Sequence, residues 1–317
     1  MNRNRAIRLV ILAALMMSLS AASFAGVFIG VSVHIGPPPL PVYAQPVCPG
    51  PGYMWTPGYW AWNDVGGYYW VPGTWVVAPV GMLWTPGYWG FVGGVYSWHA
   101  GYWGPHVGFY GGINYGFGYG GVGFAGGEWR GGAFFYNRSV TNINVTHVTN
   151  VYNKTVIVNN VNNHYAFNGQ GGVVAHATPE EARYAAEPHT AALAEQEQHE
   201  RAAGENRASF ASENHGRPAI AATGRPGEFS GHGVVAAHAA GAPYQAPRMS
   251  PQEARVSSNE GRNNEGRNNR QAREYSGQAH QQEVRQQQGH QQPPQQNERH
   301  ESAPKEHGGH GGRGPGR

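Results

Sequence analysis

The sequence predicts a mainly β protein. A small antiparallel β-repeat meander of four WxxGxW units is joined to Asn/Val-rich strands, then short helices and a long disordered C-terminal tail. Three observations predict this. The hexads "WTPGYW" at 55–60, "WVPGTW" at 70–75, "WTPGYW" at 84–89 and "WHAGYW" at 98–103 recur at a nearly fixed period, which marks a structural repeat. The chain holds 48 Gly and 23 Pro with only 13 % charged residues, so it is dense in turns. Residues 133–165, "AFFYNRSVTNINVTHVTNVYNKTVIVNNVNNHY", interleave Val, Ile, Thr and Tyr with Asn, the composition of strands with polar turns or one polar face.

Taken in order, residues 1–25 read as a cleaved secretory signal. Arg3, Arg5 and Arg8 precede an apolar run from Leu9 to about Leu19, and the small residues Ser23 and Ala25 place the cut between Ala25 and Gly26. An uncleaved anchor is the competing reading, because no charge falls between Leu9 and Val33; Ser18, Ser20, Ser23 and Gly26 weaken it. Cleavage leaves no integral membrane span. It takes three of the 22 basic residues and none of the 19 acidic ones, so the exported chain is close to neutral. Export points to the periplasm, association with the outer membrane, or release outside the cell.

Residues 26–52 alternate Val27, Ile29, Val31, Val33 and Ile35 as a strand does, then enter seven prolines between Pro37 and Pro51, a stiff extended spacer. Residues 53–103 hold the repeats. In "TPGY", Pro57 presets the φ of the second turn position and Gly58 supplies the positive φ of a type II turn, which sets Trp55 opposite Trp60 in a short hairpin. The alternative is one longer strand kinked at a glycine bulge. Either way Gly58, Gly73, Gly87 and Gly101 are the turn glycines. The eight rings of Trp55, Trp60, Trp70, Trp75, Trp84, Trp89, Trp98 and Trp103 then share a face, the candidate binding face. So small a meander is marginal by itself. Its aromatic face is expected to be covered by the neighbouring Val-rich strands, by another protomer or by an envelope partner.

Residues 104–172 pass from irregular Gly/aromatic alternation into the Asn/Val-rich β region. Residues 173–249 form a loosely helical, low-complexity region. There Thr178, Pro179 and Glu181 make a helix-starting capping box, and "TAALAEQEQHERAAG" makes a second short helix. Neither helix carries a wide apolar stripe, so both are expected to lie loosely on the surface or to form only on contact. Residues 250–317, rich in Gln, Asn, Arg, His and Gly, cannot bury enough apolar area to offset their ordering entropy.

The hexads resemble those of the WXXGXW (YXWGXW) repeat proteins, an exported bacterial family. The matching residues are Trp55, Gly58 and Trp60; Trp70, Gly73 and Trp75; Trp84, Gly87 and Trp89; Trp98, Gly101 and Trp103. "VYNKTVIVNNVN" and "FASENHGRPAIAAT" (210–223) are also similar to stretches of that group. The resemblance implies an address in the cell envelope and no biochemical activity.

The chemistry argues against an enzyme. Across residues 26–172 the only charged side chains are Asp64, Glu128, Arg130, Arg138 and Lys154, too few and too scattered for an acid–base pair. "GFGYGGVG" matches phosphate-loop spacing only because glycine is abundant there, so no cofactor is expected. His99 and His106 read as packing residues, and His307 and His310 lack the cysteine partners of a zinc site, so no metal is expected. Cys48, the single cysteine, reads as a small semi-buried thiol. Asn137, Asn144 and Asn153 head glycosylation triplets that matter only in a eukaryotic secretory route. The glutamates among the tail arginines argue against nucleic acid as a partner. Two functions remain: a non-enzymatic envelope protein whose Trp/Tyr face docks on an envelope protein or polysaccharide or packs into an oligomer, and a glycan-binding module with Trp rings as stacking platforms.

Overall fold

The computed structural model describes residues 29–156, 164–241, 245 and 247–256. The signal segment with its Ala25–Gly26 cut, and the tail from residue 257 onward, lie outside the described residues. Strand β1 (Ile29–Val33) follows the predicted alternation and pairs antiparallel with the second repeat hairpin. The proline spacer after it holds no regular helix or strand, and Val42 makes an isolated antiparallel bridge to Ala239.

The repeat folds as two long hairpins, not four short ones. In the first, β2 (Tyr53–Thr56) and β3 (Tyr59–Asn63) form the outgoing arm, and β4 (Gly67–Val71) and β5 (Gly73–Val77) the returning arm. Trp55 sits opposite Trp75 and Trp60 opposite Trp70, so hexad pairs with hexad. The reversal falls at the tip, where the Asn63 side chain accepts the N–H groups of Val65 and Gly66 and Gly67 takes φ 79°. The second hairpin repeats the plan with β6 (Leu83–Thr85), β7 (Tyr88–Val92), β8 (Val95–His99) and β9 (Tyr102–Gly104). Trp84 faces Trp103 and Trp89 faces Trp98, and Gly93 and Gly94 form the tip at φ 62° and 84°.

This corrects the type II turn. Gly58, Gly73, Gly87 and Gly101 lie outside the positive-φ region, and each hexad is a single arm interrupted at its Pro-Gly or, in the fourth, its Ala-Gly. Their glycine requirement is one of space. A Cβ on Gly73 would come within 2.9 Å of the Gly58 nitrogen and 2.5 Å of Cζ2 of Trp55, and one on Gly101 within 2.8 Å of the Gly87 nitrogen and 2.5 Å of Cζ2 of Trp84. Two arms touch backbone to backbone beneath an indole, and no side chain fits between them.

Later segments build outward from the hairpins. The tight turn between β10 (Asn114–Gly116) and β11 (Tyr119–Gly120) holds Phe117 at φ 50° and Gly118 at φ 98°, and wedges the Phe117 ring against Tyr43 and Trp55. Strand β12 (Gly127–Arg130), from the end of the Gly/aromatic stretch, and β13 (Ala133–Asn137) and β14 (Val151–Tyr152), from the Asn/Val-rich region, make a three-stranded sheet. Strand β15 (Phe167–Asn168) extends the second hairpin parallel to β7, and β16 (Ala222–Thr223) extends the first parallel to β5. The fold is mainly β, in small and mostly antiparallel sheets.

Helix α1 (Pro179–Tyr184) begins at the predicted capping box: the Thr178 hydroxyl accepts the Glu181 N–H, and the Glu181 carboxylate accepts the Thr178 N–H. Helix α2 (Ala194–Glu205) departs from the expectation of a loose surface helix, because it is seated on β4 with His199 and Ala203 buried. Helix α3 (Ala211–Asn214) also packs on β4. The start of the presumed tail is ordered as α4 (Pro251–Ala254), after which Arg255 pairs with Asp64 and the Val256 N–H donates to Ser32 O.

Candidate functional site

The paired tryptophans are the densest concentration of distinctive side chains in the chain, and the hairpin register decides where they point. Opposed rings meet edge-on or tilted: Trp55–Trp75 at 5.3 Å, Trp60–Trp70 at 5.2 Å, Trp84–Trp103 at 5.3 Å and Trp89–Trp98 at 5.5 Å between centroids. Such aromatic pairs contribute about 1 kcal/mol each beyond burial. All eight rings join one core cluster. Seven are between 0 and 7 % exposed; Trp98, half-buried, stacks on Tyr59 at 5.0 Å and so ties the two hairpins together.

What covers the rings is the chain itself, and it does so through backbone acceptors. Indole Nε1–H groups donate from Trp60 to Pro39 O, from Trp75 to Pro46 O, from Trp70 to Ala221 O and from Trp89 to Trp60 O. The first two acceptors lie in the proline spacer, the third beside β16, and the fourth on the sister hairpin. In the other direction, Tyr115 Oη–H donates to Gly87 O and Tyr119 Oη–H to Trp84 O. Two carbonyls of the second hairpin's interrupted arm thereby gain acceptor bonds. The expected cover by the Val-rich strands is seen in part, with Phe134, Tyr136 and Val148 in the same cluster as the rings, and the spacer, the Gly/aromatic segment and the helical segment add to it.

Helix α2 supplies a polar clasp. Gln196, His199, Glu200 and Ala203 fall at i, i+3, i+4 and i+7, one helical face, and that face meets both hairpins. The Gln196 carbonyl accepts the Trp103 indole N–H at 2.7 Å. His199 bonds Pro72 O at 2.9 Å through Nε2 and receives the Gly227 N–H at Nδ1, which requires the neutral imidazole with its proton on Nε2. Burial lowers its pKa to about 4. Glu200 accepts the Tyr59 hydroxyl at 2.9 Å, and burial raises its carboxyl above the usual range. The Tyr59 phenol is held far above its ordinary pKa by burial and then by the Glu200 charge. These groups fasten and position; none is placed as a nucleophile.

Other expected residues fall as follows. His99 stacks on Tyr88 at 4.5 Å, with its pKa lowered to about 4 by burial, and His106 pairs with Glu187 and stacks on Tyr184. Cys48 is fully buried, not semi-buried: its thiol donates to Gly50 O, and burial pushes it up to about 11. Asn137 is buried, with its amide donating to Ala125 O and Lys154 O, which makes it a structural residue. Among the described residues no group of three or more His, Cys, Asp or Glu could hold a metal, and no helix is long and apolar enough to cross a membrane. Sequence reasoning passed over Trp62, at the first hairpin tip. It lines a groove of about 460 Å³ with Pro37–Pro39, and its Nε1–H donates to Asp64.

The class defined by this architecture is a hairpin repeat protein with paired, buried tryptophans. The WXXGXW repeat family matches it in two copies, residues 50–76 and 80–103, each a whole hairpin carrying two hexads. The repeat region is therefore a pair of WXXGXW repeats, and the structural unit is twice the period read from the sequence. No curated protein and no solved structure matches the chain.

Proposed function

We propose that this is a non-enzymatic structural or interaction protein of the cell envelope, in which the two tryptophan hairpins are the internal scaffold and contacts with an envelope protein or polysaccharide fall to surfaces outside them. One observation carries this reading: the paired rings are spent on the chain's own core. The export half of the proposal rests on Arg3, Arg5 and Arg8 ahead of the apolar run and on the small residues at Ala25 and Gly26. Fractionation of cells making the tagged chain tests it. Envelope retention of a chain shortened at Ala25 is expected; a full-length chain in the cytosol would refute it.

The glycan-binding reading loses the paired tryptophans as platforms, since a sugar face cannot reach a buried ring. What favours keeping it is Trp62, half-buried on an open groove beside the Asp64–Arg255 ion pair. It expects saturable quenching of tryptophan emission by envelope polysaccharide fragments in the native chain and none in Trp62→Phe.

A further inference from the structure

One line of aromatic rings crosses both hairpins and ends at a carboxylate. Trp62, half-buried at the first hairpin tip, meets Tyr68 at 4.8 Å between ring centroids. Tyr68 meets Trp89 of the second hairpin at 5.2 Å, Trp89 meets Trp98 at 5.5 Å, and Trp98 stacks on Tyr59 at 5.0 Å. The Tyr59 hydroxyl then donates to Glu200 Oε2 at 2.9 Å. Every member of the line is a tryptophan or a tyrosine, the aromatic side chains that give up a single electron readily, and neighbouring rings are close enough for an electron to pass between them. Elsewhere phenylalanine interrupts: Phe117 stands between Tyr43 and Trp55.

The hydrogen bonds separate the two ends of the line from its middle. An aromatic ring that loses an electron becomes a strong acid, so the acceptor of its N–H or O–H decides whether the proton leaves. In the middle, Tyr68 donates to Ile35 O and Trp89 to Trp60 O, backbone carbonyls that take no proton. At the ends the acceptors are carboxylates: Asp64 for the Trp62 indole, at 2.9 Å, and Glu200 for Tyr59. Tyr110, Tyr115, Tyr119 and Tyr136 also donate to backbone carbonyls, whereas Tyr69 reaches the same Glu200 carboxylate as Tyr59. Burial raises the Glu200 carboxyl above its usual range, which makes it a stronger base for that proton.

We propose that Trp62, Tyr68, Trp89, Trp98 and Tyr59 form a relay for one-electron oxidation, which carries an oxidising equivalent delivered at Trp62 by an oxygen-derived radical to Tyr59, with Glu200 taking the phenol proton. The radical gains one electron from Trp62 and is reduced. Electrons then move ring by ring toward Trp62, so that Tyr59 is the group finally oxidised. Its O–H bond breaks, an O–H bond forms on Glu200, and the products are a tyrosyl radical and a neutral carboxyl. The direction follows from chemistry: a phenol that gives up electron and proton together is easier to oxidise than an indole. The relay stands whether or not the chain is exported.

A ruthenium polypyridyl photo-oxidant attached at Val65→Cys starts the transfer beside Trp62, because Val65 is 80 % exposed at the hairpin tip while Cys48 is buried and stays unlabelled. Flash oxidation of the labelled full chain at mildly alkaline pH, followed by transient absorption, is expected to show a tryptophan radical giving way to a tyrosyl radical. Tyr59→Phe, which keeps a ring on Trp98, is expected to abolish the tyrosyl signal, and Tyr69→Phe to leave it in place. Glu200→Gln keeps an acceptor oxygen but is no base, and is expected to slow growth of the signal about a hundredfold while near-UV circular dichroism stays unchanged. Tyr68→Phe, which lengthens the first step, slows it several-fold. A tyrosyl signal that survives Tyr59→Phe, one that grows equally fast in Glu200→Gln, or a tryptophan radical that decays with no tyrosyl radical after it overturns the proposal.

Discussion

Replacing Gly73 by alanine and by asparagine tests the hexad's architecture at its narrowest point. The added Cβ would lie 2.5 Å from Cζ2 of Trp55, 2.9 Å from the Gly58 nitrogen and 3.0 Å from the Tyr43 hydroxyl, closer than carbon makes contact. One obstacle is a backbone atom of the opposite arm and another is a buried indole, so no flexible side chain can move aside. Overpacking of this kind costs about 1–3 kcal/mol, and rigid neighbours place Gly73→Ala near the top of that range. Asparagine separates the two explanations of the glycine. In a left-handed turn position Asn is better tolerated than Ala; where space is the constraint, the larger Asn is worse. Gly50, with nothing within 4 Å of an added Cβ, is the control, and Gly50→Ala is expected to be neutral or stabilising by about 0.5 kcal/mol. Urea unfolding followed by tryptophan emission reads all three. The order Gly50→Ala above Gly73→Ala above Gly73→Asn is expected; Gly73→Asn matching or exceeding Gly73→Ala would refute the argument.

Trp89→Phe removes the N–H that satisfies Trp60 O, the bond joining the hairpins, and shrinks a buried ring; a loss of about 2–4 kcal/mol in the same unfolding assay is expected. His199 ties stability to pH. Its folded pKa is depressed to about 4 from 6.5, so its contribution is complete above pH 6.5 and is lost as pH falls toward 4. A urea-midpoint series should fall across that window, with a smaller fall in His199→Gln. His99 acts in the same direction, and the raised Glu200 carboxyl opposes them. Gln196→Leu strands the Trp103 indole N–H and the Leu193 N–H, and is expected to cost about 1–3 kcal/mol and to speed amide exchange in α2. Cys48, buried with its thiol pushed up to about 11, should alkylate slowly in the native chain and rapidly in urea.

The β class, the hexads, the alternation in β1 and the Thr178 capping box were legible because each is a local pattern with a local cause. The pairing of the hexads was not. Five-residue spacing around a Pro-Gly fits a short hairpin as well as an interrupted arm, and the choice is made at a distance, by Trp55 meeting Trp75 in preference to Trp60. The stronger reversal lay in "NDVGG", where Asn63 caps two N–H groups, and it competed with Pro57-Gly58 for the turn. Cover for the rings was hidden for another reason: Pro39, Pro46 and Ala221 act through carbonyl oxygens, which leave no side-chain signature. Helix α2 escaped because its inward stripe is Gln, His, Glu and Ala, whose hold is by hydrogen bonds that an apolar periodicity cannot register.

The account's central claim is that the paired tryptophans are a core completed by the chain itself. Tryptophan emission with acrylamide quenching, measured on the purified chain alone and again with envelope material, tests it most directly. A blue-shifted emission protected from quencher in the chain alone, unchanged by the addition, is the expected result. Solvent-like, quencher-accessible emission that becomes protected only when envelope material is added would contradict it.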